Sequence, residues 1–140
     1  EAVVMQMTWP GAPTLYYGDE AGVCGFTDPD NRRTYPWGKE EKEILDHYKK
    51  IGMIRINEKL YKDGSFGLVE CNQNLLAFAR YSDSNFVLTI VNRGKEKVNI
   101  TSNFNLKSIE TNRTIKTISP NTAIILKGNG DYSDLNIEFI

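Results

Sequence analysis

Pro10-Gly11-Ala12-Pro13-Thr14-Leu15-Tyr16-Tyr17-Gly18-Asp19-Glu20, followed after a short spacer by Asp28-Pro29-Asp30-Asn31-Arg32-Arg33, decides how this chain is read. The first stretch predicts a short buried strand, Thr14 to Tyr17, entered from a proline-bounded turn and left through Gly18 into an acidic loop. A strand ending in Gly-Asp-Glu sets charged groups at its carboxyl end, where α/β architectures collect ligand chemistry. Upstream, Glu1-Ala2-Val3-Val4-Met5-Gln6-Met7 reads as the last turns of a helix. Trp9-Pro10-Gly11 stops it, because proline cannot continue a helix.

Taken together, these residues resemble the segment around the eighth barrel strand of the α-amylase family of glycoside hydrolases. The run Gly11 to Glu20 carries that likeness. Its continuation Gly25-Phe26-Thr27-Asp28-Pro29-Asp30-Asn31-Arg32-Arg33, with Pro36-Trp37 behind it, is most similar to the neopullulanase and cyclomaltodextrinase branch. The resemblance implies a fold in two parts: an α/β barrel remnant, made of the last strand and helix of a TIM-type barrel, and then an all-β antiparallel sandwich.

Length agrees with that division. A complete eightfold barrel needs about 250 residues, more than the 140 present, so the chain is expected to be the carboxy-terminal piece of a larger enzyme. Residues 1–60 would be the end of the barrel and 61–140 the sandwich. From Gly18 to Trp37 the chain is rich in Gly, Asp, Asn, Pro and Arg, which predicts a long loop of the functional kind. Lys39 to about Asn57 is the clearest helix. Ile44, Leu45, Tyr48, Ile51, Gly52 and Ile54 or Arg55 recur at helical spacing, and Glu40, Glu41 and Glu43 suit the positive end of the helix dipole.

From Tyr61 onward the period falls to 2, the mark of strands. Candidate strands are Phe66 to Cys71, Leu75 to Tyr81, Phe86 to Asn92, Lys97 to Thr101, Leu106 to Thr111, Thr114 to Ile118 and Thr122 to Lys127. Turn signals separate them, among them Lys62-Asp63-Gly64, Asn72-Gln73-Asn74 and Ser82-Asp83-Ser84-Asn85. Short strands so spaced predict a sandwich. Phe86 to Val91 is apolar on both faces and reads as a central strand, whereas Val98 and Ile100 alternate with polar neighbours.

Composition narrows the partners. Lys and Arg total 17 against 18 Asp and Glu, a net charge of -1, so there is no basic excess to hold a phosphate backbone and nucleic acid is not expected as a partner. No apolar run is long enough for a membrane helix. Cys24 and Cys71 lie in separate segments without metal-ligand spacing, so no metal and no cofactor are expected. They read as two free thiols of a reducing compartment, with one disulfide as the alternative, and the cytoplasm is favoured. His47, alone among helix charges, has no assigned role.

For chemistry, Asp19 and Glu20 are tempting as a carboxylate pair. Neighbours on an extended chain point to opposite sides, so both read instead as loop-structural carboxylates. Asp28 and Arg32 are the better pair for direct sugar contact, the carboxylate accepting from hydroxyls and the guanidinium donating through a fixed fork. The reading that they merely pair to pin the loop stands beside it. The resemblance implies that Asp28 and Arg32, and with them Arg33, hold a glucose unit on the non-reducing side of the cleaved bond. Trp37 is a candidate stacking face, whereas Tyr16 and Tyr17 are expected in the core. Phe66 and Tyr81 are candidate exposed aromatics of the sandwich.

The resemblance also implies that the nucleophile, the acid/base and a third Asp follow earlier barrel strands. No catalytic residue is therefore expected in this chain, and by itself it should be inactive. The parent would be a retaining hydrolase of α-1,4 or α-1,6 glucans of the starch, pullulan or cyclodextrin type. A non-catalytic β-sandwich module binding glycan or protein is the alternative, and a glucosyl transferase or sucrose-type isomerase on the same scaffold a third. Apolar surface normally covered by barrel neighbours predicts self-association of the isolated chain.

Overall fold

The computed structural model describes all 140 residues. Helix α1 spans Ala2–Thr8, α2 Lys42–Asn57 and the single-turn α3 Leu60–Asp63. Eight strands follow: β1 (Ser65–Cys71), β2 (Leu75–Tyr81), β3 (Asn85–Asn92), β4 (Val98–Ser102), β5 (Lys107–Ser108), β6 (Thr117–Ile118), β7 (Thr122–Asn129) and β8 (Ile137–Phe139). They form a five-stranded sheet in the order β1-β2-β3-β7-β5 and a three-stranded sheet in the order β6-β4-β8, and all pairings are antiparallel.

Alternation along β3 explains the layering. Phe86, Leu88 and Ile90 point between the two sheets, where they meet Ala77 and Ala79 of β2, Leu126 of β7, and Ile100 and Ile118 of the smaller sheet. Val87 points the other way, with Ile125 of β7, and is covered by Val4 and Met7 of α1, Ile51 of α2, and Leu60 and Tyr61 of α3. Successive residues from Phe86 to Val91 thus serve different cores, so the strand is apolar on both faces with Thr89 the one polar exception, as the sequence predicts for a central strand. β4 alternates as expected: Ile100 is buried while Asn99 and Thr101 face solvent.

The helices are fastened to the larger sheet by long-range polar contacts. Lys127 of β7 reaches the Glu58 carboxylate at 2.9 Å, and Lys50 of α2 pairs with Glu110. Arg55 of α2 donates to the carbonyls of Met7, Trp9 and Gly11, satisfying carbonyls that the end of α1 leaves free. Arg80 is buried on the helix side of β2. It donates to the carbonyls of Tyr61 (3.2 Å), Gly64 (2.7 Å) and Ser65 (3.3 Å), and so welds α3 to β1. Asn92 is the corresponding polar anchor at the end of β3. Its amide donates to the carbonyls of Glu96 (2.9 Å) and Ser119 (3.2 Å), and its oxygen accepts from the Gly94 amide at 2.9 Å.

Several expectations need correction. Thr14 to Tyr17 is not a strand; it is irregular chain without ladder partners that runs into a turn at Tyr17, and Tyr16 and Tyr17 are exposed rather than core. An extended segment becomes a strand only where a neighbour offers complementary N–H and C=O groups, and none lies beside it here. Helix α2 begins at Lys42, because Gly38 takes a left-handed φ of 75° and Glu41 is the extended N-cap. Lys62 and Asp63, read as turn, close α3, whose apolar pair Leu60-Tyr61 is buried. β5 and β6 are only two residues long, being interrupted around Asn112, which adopts a left-handed φ of 56°. Tyr81 is no open platform: it is half-buried and stacked on Tyr132 with ring centroids 4.3 Å apart. Phe66 retains an exposed edge but packs against Trp9 at 5.1 Å and Phe78 at 5.8 Å. The chain's last segment, unassigned by periodicity, docks as β8 on β4.

Candidate functional site

The loop from Gly18 to Gly38 leaves the end of the Thr14–Tyr17 segment and returns to the start of α2. Gly18, at φ 93°, turns the chain into a single 3-10 turn, Asp19–Ala21. The Glu20 carboxylate accepts from the Gly18 amide at 3.1 Å, so it holds this turn, while Asp19 is exposed. The Glu41 amide donates to the Ala21 carbonyl at 3.0 Å, tying the loop's entry to the N-cap of α2. Further out, the Tyr17 hydroxyl donates to the Arg33 carbonyl at 2.9 Å and draws the returning strand of the loop back to its base.

At the tip, two turns follow each other: the Asp30 amide donates to Thr27 O at 2.8 Å and the Arg32 amide to Pro29 O at 3.0 Å. This folding brings Asp28 and Arg32 together as a forked ion pair. Nε meets Oδ1 at 2.7 Å and Nη2 meets Oδ2 at 2.7 Å. Both side chains remain about three-fifths exposed, 61% for Arg32 and 62% for Asp28. The unused lone pairs of the carboxylate and the remaining N–H groups of the guanidinium therefore face solvent as a mixed acceptor and donor edge. Arg33 does not join that pair; it meets Asp30.

In the same loop, Trp37 is 82% exposed and Phe26 87%. Trp37 packs against the half-buried Tyr35 with centroids 4.5 Å apart and planes inclined at 47°, which leaves its outer face free. Burial raises the Tyr35 phenol above its ordinary range, and the Glu20 and Glu40 carboxylates beside it act the same way. The sequence reading passed over Tyr35 and Asp30. The signal for Asp30 was the Asp-x-x-Arg spacing inside the quoted stretch; for Tyr35 it was an aromatic two positions before a tryptophan.

No cluster of three or more His, Cys, Asp or Glu side chains is arranged to hold a metal ion. Cys24 and Cys71 are both free and exposed. No helix is long and apolar enough to cross a membrane.

A chain with this loop, followed by a helix and a sandwich, has clear counterparts. It is 38% identical over 108 residues to an amylopullulanase of Thermoanaerobacter thermohydrosulfuricus, 69% of this chain and 7% of that protein. It is 33% identical over 136 residues to a cyclomaltodextrinase of Thermoanaerobacter pseudethanolicus, 90% of this chain and 24% of the relative. The chain belongs to the α-amylase family of glycoside hydrolases. Within that family it is neopullulanase-like. The fold agrees: a crystal structure of an Anoxybacillus α-amylase superposes with a TM-score of 0.80 at 21% identity, over 92% of this chain and 31% of that one. No protein-family model matches the sequence. The chain spans only 7% and 24% of the lengths of the two curated relatives.

Proposed function

We propose that this chain is the carboxy-terminal part of a retaining glycoside hydrolase acting on α-1,4 or α-1,6 glucans of the starch, pullulan or cyclodextrin type. In this reading residues 1–60 close a (β/α)8 barrel and residues 61–140 form the terminal sandwich. The Gly18–Gly38 loop lies at the mouth of that barrel, with Asp28, Arg32 and Trp37 on the substrate side, Arg33 next to them paired with Asp30, and Asp19 and Glu20 shaping its base. The catalytic carboxylates belong to the preceding part of the barrel.

The observation that carries this reading is the exposed Asp28–Arg32 fork in the same loop as the exposed indole of Trp37. A fork of fixed geometry presents acceptors and donors at once, which matches vicinal sugar hydroxyls, and an indole face matches the apolar side of a pyranose. No other part of the chain combines the two.

The test is made in the protein that joins this chain to its barrel. Asp28→Ala and Arg32→Ala each remove a binding contact remote from the bond being cleaved, and each leaves its partner unpaired. Both are expected to raise KM for malto-oligosaccharides about tenfold, with a smaller effect on kcat. Unchanged KM in both variants would overturn the substrate role. The isolated 140-residue chain is expected to show no turnover.

A further expectation concerns the isolated chain. Leu15, Tyr16, Tyr17, Ile44, Met53 and Ile56 are all exposed, Ile56 to 77%. The barrel would cover this surface; without it the chain is expected to self-associate. Sedimentation across a concentration series reads this directly, and a monomer throughout would count against the barrel assignment.

A further inference from the structure

Asp30 sits between the two residues of the fork, and its carboxylate reaches neither. Oδ1 accepts from Arg33 through Nε at 3.0 Å and Nη2 at 2.6 Å, while Oδ2 accepts from the Phe26 amide at 3.1 Å. One side chain thus joins the two ends of the segment Phe26–Arg33. The neck of this ring is closed as well. A Cβ built on Gly25 would lie 2.5 Å from the Asn31 Cα and 2.8 Å from the Asp30 carbonyl, so the backbones touch there and only glycine fits. At its outer end the ring is held to the base by Tyr17, through the Arg33 carbonyl.

We propose that Asp30 is the positioning residue of this loop, closing the Phe26–Arg33 ring so that Asp28 and Arg32 stand in register for the substrate, with Arg33 as its clamp partner rather than a sugar ligand. The inference rests on the substrate role given above to Asp28 and Arg32. The physics is preorganisation. An exposed eight-residue ring without a fixed neck samples many shapes, and a ligand that needs one of them must order the rest on binding. Asp30 orders the ring beforehand by a doubly anchored carboxylate, and Arg33 is occupied by that carboxylate from the other side.

The charge state supports the clamp. Hydrogen bonding to the Arg33 side chain, then to the Phe26 amide, holds the Asp30 carboxyl below the usual aspartate range. A depressed folded-state pKa means that the clamp is fully present above the ordinary aspartate value. It opens only as pH falls through the lowered one.

The experiment uses the protein that carries both this chain and its barrel, with two readouts. Amide hydrogen exchange at Phe26 reports the ring itself; KM and kcat for malto-oligosaccharides report its use. Asp30→Ala is expected to speed Phe26 exchange about tenfold and to raise KM by a similar factor while kcat stays within about twofold. Asp30→Asn keeps the Oδ1 acceptor but puts an NH2 group opposite the Phe26 amide, so it should lose the exchange protection and part of the affinity. Arg33→Ala should match Asp30→Ala, and the double variant should be no worse than either, because the two act as one unit.

Arg33→Ala raising KM while Asp30→Ala does not, or effects that multiply in the double variant, would make Arg33 an independent sugar contact and overturn the assignment. Phe26 exchange indifferent to Asp30→Ala would show that no clamp exists. If exchange responds but Asp28→Ala and Arg32→Ala leave KM unchanged, the ring is real and the substrate reading is what has failed, and the positioning role falls with it.

Discussion

Gly128→Ala is expected to destabilise the sandwich by about 2 kcal/mol, and Gly128→Val by more. Gly128 of β7 lies directly opposite Phe86 of β3 in the ladder. The phenyl ring folds over it: a Cβ at this position would come 2.2 Å from Cζ and 2.4 Å from Cε2 of Phe86. Phe86 has no room to retreat, since it is fully buried and stands edge-on to Phe104 at 5.2 Å, with Tyr132 at 6.1 Å behind. Either the ring leaves its rotamer or the two central strands part. Chemical denaturation of the 140-residue chain measures the loss. Combining Gly128→Ala with Phe86→Leu should recover part of it, because the smaller side chain frees the space the new methyl needs. A neutral Gly128→Ala would mean that β7 shifts freely against β3.

The second large effect lies on the other side of the same sheet. Arg80→Met is expected to cost about 3 kcal/mol, the scale of breaking a buried polar network around a charge. Arg80 is only 5% exposed and has no carboxylate partner; three backbone carbonyls take the place of a counter-charge. Burial lowers its pKa, yet a guanidinium stays protonated at any relevant pH, so its donors must be satisfied there. Methionine fills the volume and leaves those carbonyls without their donor, the Tyr61 carbonyl in a buried site. Arg80→Lys keeps the charge but not the fork, so it should fall between. The same unfolding measurement decides the matter, and a loss below about 0.5 kcal/mol would show that water replaces the guanidinium.

How much of this was legible in the sequence differs from element to element. β2 and β3 were readable because their side chains alternate between two cores and no turn residue interrupts them. β1 and β7 were placed within two residues for the same reason. The short strands β5 and β6 were overdrawn, since Leu106 and Ile115 pack against the core from irregular chain that periodicity cannot distinguish from strand. Thr14–Tyr17 failed for a deeper reason: strand character depends on a neighbour, and sequence composition records only the willingness to pair.

The site divides the same way. Asp28 and Arg32 were visible as complementary groups four positions apart in a loop. Asp30 offered only its Asp-x-x-Arg spacing to Arg33, because its bond to Phe26 depends on a turn that folds the chain back. Arg55 was hidden by its place on the apolar stripe of α2, where its aliphatic stem fits the pattern and its guanidinium does something the pattern does not encode.

The double-faced burial of β3 also sets an order of events. β2 and β3 are joined by the short turn at Ser82–Ser84, so their pairing closes a small loop at little entropic cost, whereas β7 must return across the whole of β4 to β6 before it can zip onto β3. Until it does, one hairpin carries the apolar side chains of both cores with nothing on its open edge. The arrival of β7 is therefore expected to be the slow step, and Gly128→Ala is expected to act on the unfolding limb of the kinetics rather than the folding limb. On that expectation, the last strand to arrive is the one that sets how long the native state endures.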